Sequence, residues 1–106
     1  MDSLRLEEGQ GPASFRLIGE LDLSNVPQVT ARLREELDRA DQLTVDLSEL
    51  TFMDSQGLRM LIELGGEAIQ RGTTVRVVNC SNQVKQLLRV AVPTGIPGVE
   101  IVNADK

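Results

Sequence analysis

The residues able to do chemistry in this sequence are the carboxylates Asp22, Asp46 and Asp54 and the hydroxyls Ser24 and Ser55. Paired carboxylates brought together at strand ends could transfer protons. No nucleophile or pocket signature accompanies them, and with no histidine in the chain neither a Ser–His–Asp nor a Cys–His arrangement can form. A Gly-rich Lys loop for phosphates and a Cys/His cluster for a metal are likewise missing. The sequence therefore reads as that of a non-enzyme without cofactor or metal.

Asp54 and Ser55 stand at a change of hydrophobic period. Leu43-Thr44-Val45-Asp46-Leu47 alternates apolar and polar, as a half-buried strand does. Leu58, Leu61, Ile62, Gly65, Ala68 and Ile69 then recur in steps of three and four, one face of a helix. Asp54 and Ser55 thus fall where a strand and its loop hand over to a helix N-terminus. Unpaired N–H groups and a positive dipole end gather there. Ser or Asp caps such an end, and an added phosphate is tolerated at the same place. Both readings are open: a plain cap, or a modifiable hydroxyl.

The remaining elements place themselves around this junction. Residues 3–7 and 13–19 read as an antiparallel hairpin across the Gly9-Gln10-Gly11-Pro12 turn. Glu20-Leu21-Asp22-Leu23 reads as a loop, with Ser24 as N-cap and Pro27 in the first helical turn. Val26, Val29, Leu33, Leu37 and Ala40 form the buried face of that helix, and Arg32/Glu36 and Glu35/Arg39 pair on its wet side. Arg71-Gly72 closes the central helix. A strand over 73–78 follows, then a helix capped by Ser81 with Val84, Leu87, Leu88 and Ala91 inward, and a last strand over 99–102. Asn103 to Lys106 is expected to fray. This order predicts an α/β domain spanning 1–106, with a mostly parallel sheet, an antiparallel edge strand and covering helices.

Two positions carry competing readings. Asp46 on a central strand needs partners if buried, and the N–H groups of Ser48 to Leu50 could supply them. Met60 and Leu64 lie beside the apolar stripe of the central helix. They widen the core face or form an adaptable docking strip running on from Ser55.

Composition narrows the partners. The 106 residues suit one domain, and aromatics at 2% leave an aliphatic core and no stacking platform for single-stranded nucleic acid. A net charge of −5 has the wrong sign for a phosphate backbone and suits a basic protein surface instead. The single cysteine, Cys80, rules out an internal disulfide and reads as an apolar filler past a strand. There is no signal peptide, long apolar span or lipidation motif, so the expected location is the cytoplasm, without membrane insertion.

Met53-Asp54-Ser55-Gln56-Gly57-Leu58 resembles the Asp-Ser-x-Gly-Leu signature of anti-sigma factor antagonists, bacterial members of the STAS domain family. Gly19-Glu20-Leu21-Asp22 resembles that family's Gly-Glu-Leu-Asp segment, and Arg76-Val77-Val78-Asn79 with Val84-Lys85-Gln86-Leu87-Leu88 its later strand and helix. The resemblance implies a protein that binds an anti-sigma factor when unphosphorylated and releases the sigma factor. That anti-sigma factor is a serine kinase that ends the interaction by phosphorylating the signature serine, here Ser55, and a phosphatase resets it. It further implies a contact surface of Asp22, Leu23, Ser24, Asp54, Gln56, Gly57, Arg59 and Met60 on a monomer or weak dimer. Gln56 and Arg59 stand where the family usually has small residues, and the family's usual closing helix is expected to be absent. The same resemblance allows a STAS subunit docking on the ATPase of a lipid-trafficking ABC transporter, or a module sensing a nucleotide or anion.

Overall fold

A computed structural model describes residues 3–102. Its elements run β1 (Leu4–Glu8), β2 (Ser14–Leu21), α1 (Val26–Leu37), β3 (Gln42–Met53), α2 (Ser55–Arg71), β4 (Thr74–Val78), α3 (Asn82–Ala91) and β5 (Val99–Val102). The expected element order holds. Asn103 to Lys106 lies outside the described residues.

The five strands form one sheet in the order β1-β2-β3-β4-β5. β1 pairs antiparallel with β2, and the other neighbours are parallel. A parallel sheet built in chain order sends its right-handed crossovers over one face. Burial follows that geometry: Phe15, Leu17, Leu43, Val45, Leu47, Val75 and Val77 are buried, while Arg16, Thr44, Asp46 and Arg76 between them stay half-exposed. The core is aliphatic apart from Phe15, over which the Arg32 guanidinium lies at 4.8 Å.

The open sheet face explains Asp46. Its carboxylate accepts hydrogen bonds from the Ser48 N–H at 2.8 Å and from Asn79 Nδ2 at 3.3 Å. Partial burial pushes its pKa up, but the bonds from Ser48 and Asn79 and the charge of Arg16 outweigh that and leave it below the usual aspartate value. It is a half-exposed, hydrogen-bonded acid on β3.

Several local expectations shift. β2 runs on through Glu20 and Leu21, read as loop from sequence, because Leu21 is fully buried and pairs with Met53. β3 likewise continues to Met53, with register irregularities against β2 between Arg16 and Ile18 and between Gly19 and Glu20. Those bulges re-aim the strand, so its simple alternation stops at Leu47. In α1, Asn25 takes the N-cap position in place of Ser24, and Thr30 joins the buried face by donating its hydroxyl to the Val26 carbonyl. Arg32 pairs with Glu36 at 2.8 Å as expected, while Arg39 approaches Glu36 at 3.8 Å and Glu35 turns to Arg32.

Two ion pairs fasten α1 to α2. Arg34 grips Glu67 through Nε at 2.7 Å and Nη2 at 2.8 Å, and Arg71 reaches Asp38 at 2.7 Å. Hydrogen bonding from Arg34 lowers the Glu67 pKa. A depressed carboxylate pKa adds stability above the unfolded-state value, lost as pH falls through the folded-state value. Glu67→Gln should therefore lower the melting temperature at neutral pH and leave it equal to wild type well below the carboxylate range. Paired melts at the two pH values check this, and an equal loss at both would assign the effect to packing.

Candidate functional site

Asp54 is the N-cap of α2, with φ −93° and ψ −173°. One carboxylate oxygen accepts from the Gln56 and Gly57 N–H groups at 2.9 and 3.1 Å, satisfying two of the donors a helix start leaves unpaired. The other accepts from the Leu23 N–H at 3.1 Å. Asp54 thereby does the capping and also ties the β2–α1 loop to the start of α2.

Because Asp54 caps, Ser55 does not have to. Ser55 is the first residue of α2, exposed, and its hydroxyl takes no hydrogen bond among the described residues. Its Oγ stands exposed at the positive end of a 17-residue helix.

The β2–α1 loop presents the neighbouring groups. Asp22 accepts from Ser24 through both its N–H, at 3.0 Å, and its hydroxyl, at 2.6 Å. Asn25, at 1% exposure, accepts from the Asp22 N–H and donates to the Glu20 carbonyl. This buried Asn was missed in the sequence, although Asn beside a helix start signals side-chain bonding to the backbone. The loop so braced holds Leu23 out in solvent at 68% exposure. Asp22, Leu23, Ser24, Asp54 and Ser55 are thus gathered at one end of the sheet. Asp22 and Asp54 hold no ion pair among the described residues.

Four other expected contact residues divide. Gln56 is half-buried, and Arg59 is exposed with its guanidinium at 3.1 Å from Glu63. Gly57 is buried: a Cβ there would lie 2.6 Å from Met53 Cγ and 3.0 Å from Leu21 Cδ2. Its smallness admits the β2 and β3 ends against the helix, so it serves packing and offers no contact surface. Met60, at 2% exposure, is also core, and so is Leu64. Their burial turns the helix so that Ile62 and Ile69, expected inside, are 45% and 58% exposed. Phe52, at 49% exposure beside this end of β3, is an apolar surface group the sequence did not single out.

Replacing Asp54 tests the tether. Asp54→Ala should cost about 1–2 kcal/mol for the lost cap, a fall in melting temperature of roughly 4–8 °C per kcal/mol for a domain of this size. Asp54→Asn keeps one acceptor oxygen and should lose less. Faster amide exchange of Leu23 in both variants is the accompanying signature; unchanged exchange would show that the loop holds itself.

The comparisons with known proteins agree with this geometry. A family model described as "Mlab, STAS domain" matches residues 5–95. Among solved structures, the anti-sigma factor antagonist SpoIIAA in its unphosphorylated form superposes with a TM-score of 0.70 at 20% identity, covering 92% of this chain and 86% of that one. SpoIIAA, described as a Bacillus cell fate determinant, matches in its phosphorylated form with a TM-score of 0.65 at 19% identity, covering 92% and 89%. A proposed anti-sigma factor antagonist from Thermotoga maritima matches with a TM-score of 0.73 at 17% identity, covering 96% and 87%. At such identities the structural likeness speaks for the fold, and the family match carries the membership. With its five-stranded mixed sheet and its Asp54-capped helix start, this chain belongs to the STAS domain family.

Proposed function

We propose that this protein is an anti-sigma factor antagonist, docking on an anti-sigma factor that is also a serine kinase and undocking when that kinase phosphorylates Ser55. The observation that carries the reading is the division of labour at the start of α2. Asp54 does the capping, and the adjacent Ser55 hydroxyl is exposed and takes no hydrogen bond among the described residues. A hydroxyl needed for the fold would be a poor switch; this one is spare. The chain acts as substrate and ligand of the kinase and supplies no catalytic group. Leu23, Ser24, Gln56 and Arg59 surround Ser55 as the docking face, with Asp22 and Asp54 holding its loop in place. A phosphatase restores the docking form. The site of action is the cytoplasm, and among the described residues no helix is long and apolar enough to cross a membrane.

A second reading is the STAS subunit of a lipid-trafficking ABC transporter, which presents the same loop and helix to an ATPase without phosphorylation. The description of the matching family model as an Mlab STAS domain favours keeping it beside the first. Incubation with the captured partner and Mg-ATP separates the two: a mass gain on Ser55 supports the kinase reading, and a stable complex with no mass gain supports the ATPase reading.

Arg59→Ala bears on the docking face. Arg59 is exposed and its i,i+4 pair with Glu63 is worth about 0.3–0.5 kcal/mol, so the melting temperature should stay within a few degrees of wild type. Partner affinity, measured calorimetrically, should change by more than that. Unchanged affinity with a sharp drop in melting temperature would remove Arg59 from the face and make it structural.

A further inference from the structure

A groove of about 280 Å³ runs between α3 and β5 and shares no residue with the Ser55 face. Cys80, Leu88, Val92 and Ile101 form its apolar wall, each buried or half-buried. Lys85 and Arg89 line it too, four residues apart on α3, which places them on one side of that helix.

Positive charge at this place is out of character for the surface. The chain carries 16 acidic and 11 basic residues, and every other arginine holds an acidic partner. Arg89 has no ion pair among the described residues. The Lys85 charge reaches the groove wall: burial pushes the Cys80 thiol pKa up, and Lys85 pulls against it. An apolar wall beside two cations is complementary to a ligand with an apolar body and one anionic end.

We propose that this groove binds a medium-chain aliphatic monocarboxylate. Its carboxylate meets Arg89 and Lys85, where a guanidinium offers two parallel N–H donors. Its chain lies along Leu88, Val92 and Ile101, removing apolar surface from water. At about 280 Å³ the groove is at the small end of ligand sites and takes one short chain, with no room for a diacyl lipid.

Cys80, the single cysteine, is a built-in reporter. Octanoate, octanol and acetate are titrated into the full chain while amide shifts and the rate of Cys80 modification by a thiol reagent are followed. Octanoate should slow Cys80 modification and bind at least about tenfold more tightly than octanol, which lacks the charge, and than acetate, which lacks the chain. Amide shifts should centre on Cys80, Leu88, Arg89, Val92 and Ile101. Arg89→Gln, an exposed change that should not move the melting temperature, should bring octanoate down to the octanol level. Val92→Glu should abolish binding by repelling the carboxylate. Equal binding of octanoate and octanol, equal binding of octanoate and acetate, an Arg89→Gln variant that binds as wild type, shifts centred elsewhere, or no binding at all would each overturn the proposal.

Discussion

Phosphorylation of Ser55 should abolish docking and leave the fold intact. In the free protein the phosphate sits on the first turn of α2, where helix N–H groups and the dipole favour an anion by about 0.3–1 kcal/mol. The opposing effect comes from its neighbours. Asp54 already occupies the Gln56 and Gly57 N–H groups, so the phosphate adds roughly −1.5 to −2 charges beside a carboxylate that cannot move away without uncapping the helix. Across roughly 6 Å, at an effective dielectric of about 20 to 80, each unit-charge pair costs on the order of 1–3 kcal/mol.

Water at the exposed Ser55 relieves this repulsion in the free chain. A docked partner removes that water and restores the cost. A few kcal/mol corresponds to roughly a hundredfold or more in affinity. Ser55→Asp should therefore bind poorly while melting near wild type, and Ser55→Ala should bind and resist the kinase. Intact mass after incubation with the captured partner and Mg-ATP decides the acceptor. A phosphate on both wild type and Ser55→Ala, or on neither, would sink the assignment of Ser55.

Stability effects of opposite sign are expected at two adjacent glycines. At Gly65 α2 crosses the turn entering β5. A Cβ there would collide with the Pro97 carbonyl oxygen and lie 2.8 Å from Val99 Cγ2. A Cβ on Gly98, at φ +82°, would in turn collide with the Gly65 main chain, and the left-handed region suits glycine. Neither side of the contact can yield without moving main chain, so Gly65→Ala should cost about 1–3 kcal/mol, at the upper end for overpacking. At Gly66, one residue on, a Cβ would meet nothing within 4 Å among the described residues. Gly66→Ala should stabilise by about 0.5–1 kcal/mol through helix propensity. Urea melts of the two variants should bracket wild type. Gly66→Ala melting below wild type, or Gly65→Ala at or above it, would refute the close crossing.

What the sequence by itself determined is the set of features that depend on neighbours along the chain. The order of strands and helices, the Asp54-Ser55 handover, Ser81 as N-cap and Gly72 in the left-handed C-cap conformation at φ 73° all follow from local backbone preferences. Those act within a few residues. The Asp-Ser-x-Gly-Leu resemblance pointed to the start of α2 as the candidate site for the same reason, being a contiguous run. Even there the sequence left open which of Asp54 and Ser55 caps. The answer came from bonding geometry, with Asp54 accepting from three N–H groups, Leu23's among them.

The tertiary structure decided whatever depends on which face meets which. Met60 and Leu64 are as apolar as Ile62 and Ile69, so periodicity admits either pair to the core. The choice fell to Met60 and Leu64 because the helix must bring Gly57 onto Met53 and Leu21, and Gly65 onto Pro97 and Val99. Close backbone approach fixes the rotation of α2 more strongly than the transfer of one aliphatic side chain over another, since a clash with main chain has no cheap relief. The same holds for Asp46. The sequence already offered it the Ser48 N–H as a partner, but the Asn79 contact and the carboxylate's half-exposure follow only because the sheet carries its helices on one side. Contacts between residues more than 30 positions apart, such as Leu23 to Asp54 and Arg34 to Glu67, exist only once the sheet has brought their elements together.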